Sequence, residues 1–529
     1  MDVTTLVEML EFRARETPDK VAFTFDEWPR TFRQMWEAVN RFASLLLTLE
    51  LDSKDRVIIV LPNSREFFSA FYGVQRAGGI AVPVFPRLGP AHILEMATLC
   101  GARAVVIPSA TPKTRLAAFK AQAASYGLTL TTVSESAAFP TAAAFPHVRA
   151  DDIAFIQYTS GSTADPKGVQ LSHHNLLTNA GQMIAGMEIT PDDIFVSWLP
   201  VYHDMGLILK TIVPFFLAAD LILLPTSLKN THLWLDAIQR HAATFTAAPD
   251  FAYRLCMRHT KNPGNYDLSS LRVALDAAEP VRAQTIAEFE KMFGLENVMT
   301  AGYGLAEATV GVSMSPPQTP IKVGQRGSVS VGPPFPGIDI AIVQDGRVLG
   351  AGEIGEIMVK GIANSCGYYD NPKATQNLFW RSDYIATGDL GYVDKEGHLF
   401  IMGRQKNTII CAGRTLYPQE IQQVVEMTPA VRYSAAVGID RGGIEGEQAY
   451  VFAEIRKRKT TSEAERQAVV LEIVNRFYNR FGLRPGRVYL VKPKTIPLTH
   501  NGKIQHTRLK ELYLAGDLRG ARKLIYPGY

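Results

Sequence analysis

The sequence predicts an α/β protein: a large N-terminal domain of layered α/β subdomains with a β-rich subdomain, then a small α+β C-terminal domain. Three observations predict it. Short apolar runs alternate with helix-period segments through the middle of the chain. Gly and Pro pairs split the strands beyond about residue 321, and a compact mixed run begins near residue 403.

Runs at 153–158, 194–198, 221–224, 271–277 and 297–301 have the length and apolar content of buried strands. Between them, helix periodicity covers 176–184, 230–241, 251–259 and 281–293. This alternation predicts largely parallel sheets. The most apolar stretch, 212–225, is broken by Pro214 and Asp220. It falls short of the roughly 20 residues that cross a bilayer, so a helix end and a buried strand are expected there. Pairs such as Gly332-Pro333-Pro334 and Gly350-Ala351-Gly352 mark the β-rich part. Beyond Gly403-Arg404-Gln405-Lys406, a helix at 420–427, strands at 433–439 and 448–455, a helix at 462–480 and a strand at 488–491 compose the α+β unit.

At 529 residues the chain has room for three or four folding units, and its 47% hydrophobic content lets each bury a core. The 55 basic and 51 acidic residues nearly balance, and no long basic stripe speaks for a nucleic-acid partner. The densest basic cluster, Arg456 to Lys459, reads as a solvated turn before a helix or as a docking point for a carrier protein. Cys100, Cys256, Cys366 and Cys411 lie far apart, which argues against a disulfide framework or a zinc site. The first 20 residues lack an apolar signal core. A cytoplasmic protein with no transmembrane segment is expected.

The most informative segment is Tyr158-Thr159-Ser160-Gly161-Ser162-Thr163-Ala164-Asp165-Pro166-Lys167-Gly168. It follows a predicted strand and precedes a short one at 168–171. Small residues let successive backbone N–H groups, including that of Gly161, converge on one anion. The hydroxyls of Thr159, Ser160, Ser162 and Thr163 can donate to phosphate oxygens, and Lys167 adds a mobile positive charge. The spacing is not that of a Walker A loop. A polar turn of no function would share the composition, though not the full order of residues.

That order resembles the adenylate-forming superfamily, which comprises acyl-CoA synthetases, fatty acyl-AMP ligases and peptide-synthetase adenylation domains. Further segments follow in the same order, so the resemblance spans essentially the whole chain. In Ala301-Gly302-Tyr303-Gly304-Leu305-Ala306-Glu307, an aromatic beside Gly can stack on a purine and a carboxylate can hold Mg²⁺. The resemblance puts Tyr303 and Gly304 at adenine and Glu307 on the metal. It gives Asp389, in Thr387-Gly388-Asp389, to the ribose hydroxyls. Arg404 goes to the ribose or α-phosphate, and a guanidinium there would bind strongly. Lys406 becomes the pivot of a mobile C-terminal domain, which implies a division into 1–402, a hinge at 403–406 and 407–529. Lys503, in Asn501-Gly502-Lys503, becomes the catalytic lysine, and Gly413 lines a tunnel for a pantetheine thiol.

Ser197-Trp198-Leu199-Pro200-Val201-Tyr202-His203-Asp204-Met205-Gly206 and Ala278-Glu279-Pro280 look like the fatty acyl-AMP ligase versions of these motifs. The resemblance makes His203 the gate to an acyl pocket and sets Ala278 and Glu279 beside the nucleotide. One feature departs from that subfamily, whose members carry an extra segment before the Thr-Gly-Asp turn. Here residues 379–385 join Asn377 to Thr387 directly. The implied reaction uses ATP and Mg²⁺ to turn a fatty or related carboxylic acid into acyl-AMP. Acyl transfer to the phosphopantetheine thiol of an acyl carrier protein is expected to follow. CoA as acceptor, an amino- or aryl-acid substrate, and a non-catalytic nucleotide-binding relative stay open at this point.

Overall fold

The structure, a computed structural model, describes residues 2–158, 166–227, 231–440, 447–456, 462–499, 502–518 and 524–526. Two central sheets of the N-terminal domain are mostly parallel. The larger runs in the order Ser313–Met314, Met299–Tyr303, Val273–Asp276, Phe245–Ala248, Ile194–Ser197, Asp220–Leu223, Val21–Phe25, Trp28–Thr31. The second runs Thr129–Thr132, Ala102–Ile107, Arg56–Ile59, Ile80–Pro83, Ile153–Tyr158, Gly168–Ser172. Within each, the interior pairings are parallel and only the marginal strands reverse. Such strands are covered on both faces, which is why they read as continuous apolar runs.

Local sequence sets where helices begin. Ser172 accepts from the Asn175 N–H and Asn175 answers through the Ser172 N–H, a capping box that starts the helix His173–Gly186. A phenylalanine-rich cluster of Phe23, Phe32, Phe67, Phe68, Phe71 and Phe215 fills the space under the sheets. Each such ring contributes about 1.5–3 kcal/mol on burial.

The β-rich part forms an antiparallel sheet in which Tyr384–Val393 pairs with Gly355–Gly361 on one side and Leu399–Arg404 on the other. Past residue 404 the chain builds separate cores. Ile409, Ile421, Val451, Ile473 and Phe477 pack on one face of the sheet Val431–Asp440, Glu447–Ile455, Arg487–Val491, and Val437, Tyr450, Phe452 and Tyr513 pack on the other. A core of its own is what lets a region move as a unit.

The expected α/β layering is found, with a large N-terminal domain and a smaller C-terminal region. The helix expected over 281–293 is Ala283–Phe293, and that expected over 462–480 is Glu463–Phe481. Several elements had no counterpart in the sequence reading, among them every strand and helix before residue 153. Phe245–Ala248 is a short Ala-rich strand that exists because strands lie on both sides of it. Met205–Ile212 winds as a π-helix, a rare form found mostly at functional sites.

Candidate active site

Parallel strands send their carboxyl ends to one edge, and ligands of α/β sheets bind outside that edge. Strand Ile153–Tyr158 ends at the phosphate-loop segment and Ile194–Ser197 at the 198–206 segment. Val273–Asp276 leads into Ala278-Glu279, and Met299–Tyr303 ends on Tyr303 itself. Two glycines permit the tight turns that follow. A Cβ on Gly206 would stand 2.0 Å from the Pro200 carbonyl oxygen, and one on Gly304 would stand 1.6 Å from that of Val310.

Three expected site residues meet at Asp389. The Tyr303 hydroxyl donates to Asp389 Oδ2 at 2.7 Å, and Arg404 Nε donates to Oδ1 at 2.7 Å. Asp389 and Arg404 are cross-strand partners, so the sheet register itself builds the pair. Burial pushes the Asp389 carboxyl up, against the pull of Arg404, the Tyr303 hydroxyl and Lys503. Beside them the Tyr368 hydroxyl donates to Glu307 Oε1 at 2.7 Å, and Lys167 Nζ lies 4.8 Å from the Tyr368 ring. Burial, together with the Arg404 and Lys167 cations, holds the Lys406 ammonium below its usual range. Lys167, Arg404 and Lys406 therefore crowd their charges together, a field suited to a polyanion.

In the 198–206 segment, His203 Nδ1 lies 2.6 Å from Asp204 Oδ1. Burial disfavours the Asp204 carboxylate, yet His203, Lys503 and the Met205 N–H hold it down at about 2. The segment bearing His203 is pinned from outside its motif. Asn63 donates to the Leu199 and Leu224 carbonyls and accepts from the Val201 N–H, each at 2.9 Å. Gln157 donates to the Tyr202 carbonyl at 3.2 Å.

Lys503 comes to this cleft from the C-terminal region. Its turn is closed by Thr499 N–H to the Lys503 carbonyl at 2.8 Å and by Lys503 N–H to Thr499 Oγ1 at 3.1 Å. Gly502 has φ +86°, and a Cβ there would meet the Phe251 ring at 3.3 Å, so the turn abuts the N-terminal domain. The exposed Lys503 ammonium is near enough to act on both Asp204 and Asp389.

Ala278 has φ +70°, and the half-buried Glu279 accepts from the Phe251 N–H. Burial and the neighbouring Asp250 push the Glu279 carboxyl up to about 7. The structure thus brings together Lys167, Tyr303, Glu307, Asp389, Arg404, Lys406 and Lys503, with His203 joined through Asp204. Thr159, Ser160, Gly161, Ser162 and Thr163 lie outside the described residues. Gly413 sits with Ala412 at the tip of the hairpin joining Ile409–Cys411 to Arg414–Leu416, and it makes none of the contacts above. Asn63, Gln157 and Tyr368 were missed from sequence, where nothing sets a lone Asn or Tyr apart.

The sequence pattern of the family described as AMP-binding enzyme matches residues 10–369. The chain belongs to the AMP-binding enzyme family. It is similar to a medium-chain-fatty-acid–[acyl-carrier-protein] ligase, JamA, of Moorena producens, at 30% identity over 98% of this chain and 96% of that protein. A 4-hydroxyphenylalkanoate adenylyltransferase of Mycobacterium tuberculosis is 30% identical over 97% of this chain and 92% of its own. Among solved structures, one from a study of fatty acyl-adenylate ligases from E. coli and L. pneumophila superposes with a TM-score of 0.86. That structure is 26% identical, covering 98% of this chain and 99% of the other. The family and fold expected from the motifs both hold, and this AMP-binding enzyme is a ligase. Among the described residues, no helix is long and apolar enough to cross a membrane.

Proposed function

We propose that this AMP-binding enzyme joins a fatty acid to the α-phosphate of ATP and then passes the acyl group to the thiol of an acyl carrier protein. A carboxylate oxygen of the acid attacks the α-phosphorus, the bond to the β-phosphate oxygen breaks, and pyrophosphate leaves. Lys503 carries the proposal. It is borne by the C-terminal region, yet its charge acts on Asp204 and Asp389, carboxylates from two separate motifs of the N-terminal domain. An ammonium placed there can align the attacking carboxylate and offset charge at the α-phosphate.

The other roles follow from position. Lys167, with the hydroxyls of Thr159, Ser160, Ser162 and Thr163 and the backbone at Gly161, cradles the departing phosphates. Ala278, Glu279, Tyr303 and Gly304 frame adenine. Asp389 and Arg404 hold the ribose, His203 gates the acid, and Gly413 lines the approach of the pantetheine thiol. Residues 1–402 bind the substrates, 403–406 with Lys406 act as hinge, and 407–529 form the moving lid. Among the described residues, no three His, Cys, Asp or Glu side chains gather as a metal cage. Mg²⁺ in phosphoryl transfer needs no cage, because one carboxylate, phosphates and waters complete its shell. Glu307, whose Oε1 accepts from the Tyr368 hydroxyl, fits that role. The bound ion would neutralise charge on pyrophosphate. Free Cys100, Cys256, Cys366 and Cys411 agree with a cytoplasmic site of action.

One observation favours a second acceptor. Where fatty acyl-AMP ligases carry an insertion, Phe379–Trp380 and Tyr384–Val393 close a tight hairpin through Arg381 (φ 52°) and Ser382 (φ 73°). That short turn leaves CoA as the competing thiol. Mass-spectrometric product analysis with ATP, a fatty-acid panel, and either a phosphopantetheinylated carrier protein or CoA separates them. The expected product is the acyl-carrier thioester; acyl-CoA alone would move the enzyme to the second reading.

A further inference from the structure

The contact between the two regions contains an ion cluster that none of the motifs includes. Glu426 ends the helix Pro418–Glu426 of the C-terminal region, with its side chain only 7% exposed. Its Oε2 accepts from Arg282 Nη1 at 2.6 Å and from Arg254 Nη1 at 3.3 Å, both arginines of the N-terminal domain. Its Oε1 accepts from the Ser434 N–H at 2.8 Å, which fixes the carboxylate on its own side. Behind the arginines stands Asp250, 2.6 Å from Arg254 Nε and 3.6 Å from Arg282 Nε. Burial first, then Asp250, pushes the Asp276 carboxyl well above its usual range. Asp250 and Glu426 thus hold the two guanidiniums from opposite regions of the chain.

The cluster is joined to Lys503 through a short path. Phe251 follows Asp250, its N–H is held by Glu279, and its ring receives Gly502, the residue before Lys503. The same regions also touch at Arg326, whose carbonyl accepts from Arg480 Nη2 at 2.6 Å, but the ion pairs there are looser. Arg326 and Arg480 each lie 3.9 Å from Glu420, with the arginines 45% and 40% exposed. Exposed pairs at that distance contribute little, whereas cutting a buried hydrogen-bonded pair strands a charge.

We propose that Arg254, Arg282 and Glu426 are positioning residues that seat the C-terminal region so that Lys503 meets the cleft during acyl-AMP formation. The proposal rests on the reading of Lys503 given above. The clamp is specific to the first half-reaction, since acyl transfer from acyl-AMP does not need Lys503 at that place.

The test measures two rates separately: acyl-AMP formation from ATP and fatty acid, and thioester formation from supplied acyl-AMP with the thiol that the unaltered enzyme uses. Glu426→Gln and Arg282→Glu should each slow acyl-AMP formation at least about 10-fold, with transfer from supplied acyl-AMP within about two-fold. Combining Arg282→Glu with Glu426→Arg should recover most of the lost rate, and Arg508→Ala, which cuts an exposed pair with Glu511, should leave both rates within about two-fold. Equal acyl-AMP rates in Glu426→Gln and unaltered enzyme would overturn the proposal. So would a parallel loss of both rates without recovery in the reversed pair, because that reports damage to the fold. The unaltered enzyme separates this failure from a deeper one: if it forms no acyl-AMP, the functional reading falls and not merely the clamp.

Discussion

Replacing Lys503 by alanine should lower the rate of acyl-AMP formation by about 10²–10³-fold, the usual loss when one donor aimed at developing charge is removed. The turn that carries it is closed by main-chain bonds and by Thr499 Oγ1, so the substitution leaves the fold intact. ATP binding should change little, because Lys167, Arg404 and Lys406 supply the positive field without it. The loss belongs in kcat rather than in KM for ATP. Acyl transfer from supplied acyl-AMP should proceed at the unaltered rate. A matching loss in both half-reactions would contradict a role confined to the first.

Replacing Asp389 by alanine should be nearly as damaging, in a different kinetic constant. Asp389 accepts from Tyr303 at 2.7 Å and from Arg404 at 2.7 Å, so its removal strands a buried hydroxyl and releases a guanidinium. Hydrogen bonds to charged groups contribute about 1.5–3 kcal/mol each. A fall of about 100-fold in kcat/KM for ATP is expected, carried mainly by KM. Asp389→Asn keeps an acceptor but no charge and should fall between the two. Steady-state kinetics over ATP concentration, at saturating fatty acid, reads both variants. An unchanged KM for ATP in Asp389→Ala would remove this carboxylate from nucleotide binding.

The site was legible where its chemistry is local. Tyr303 and Glu307 share one strand-to-turn segment, and the Gly403-Arg404-Gln405-Lys406 run holds two of the crowded cations, so short windows carry both residue type and spacing. The strands were legible because burial on both faces makes them continuous apolar runs. What escaped was long-range. Asn63 reaches Leu199 across 136 positions, and Arg282 reaches Glu426 across 144. Neither partner has a local pattern, because its value depends on which helix end or loop the fold brings opposite. Tyr368 escaped for the same reason, being 61 positions from Glu307. The π-helix Met205–Ile212 has no signature in the sequence, since the extra residue in its turn is imposed by packing and not by composition. The positive φ of Ala278, a residue with a Cβ, is likewise set by the strand end that it leaves.

The most direct measurement follows oxygen. With fatty acid labelled by ¹⁸O in its carboxyl group, attack on the α-phosphorus puts one labelled oxygen into the AMP released after acyl transfer, and pyrophosphate stays unlabelled. The account predicts that outcome, suppressed in step with acyl-AMP formation in Lys503→Ala. ADP with labelled inorganic phosphate, or AMP free of label, would mean that the acid never attacks where Lys503 is placed.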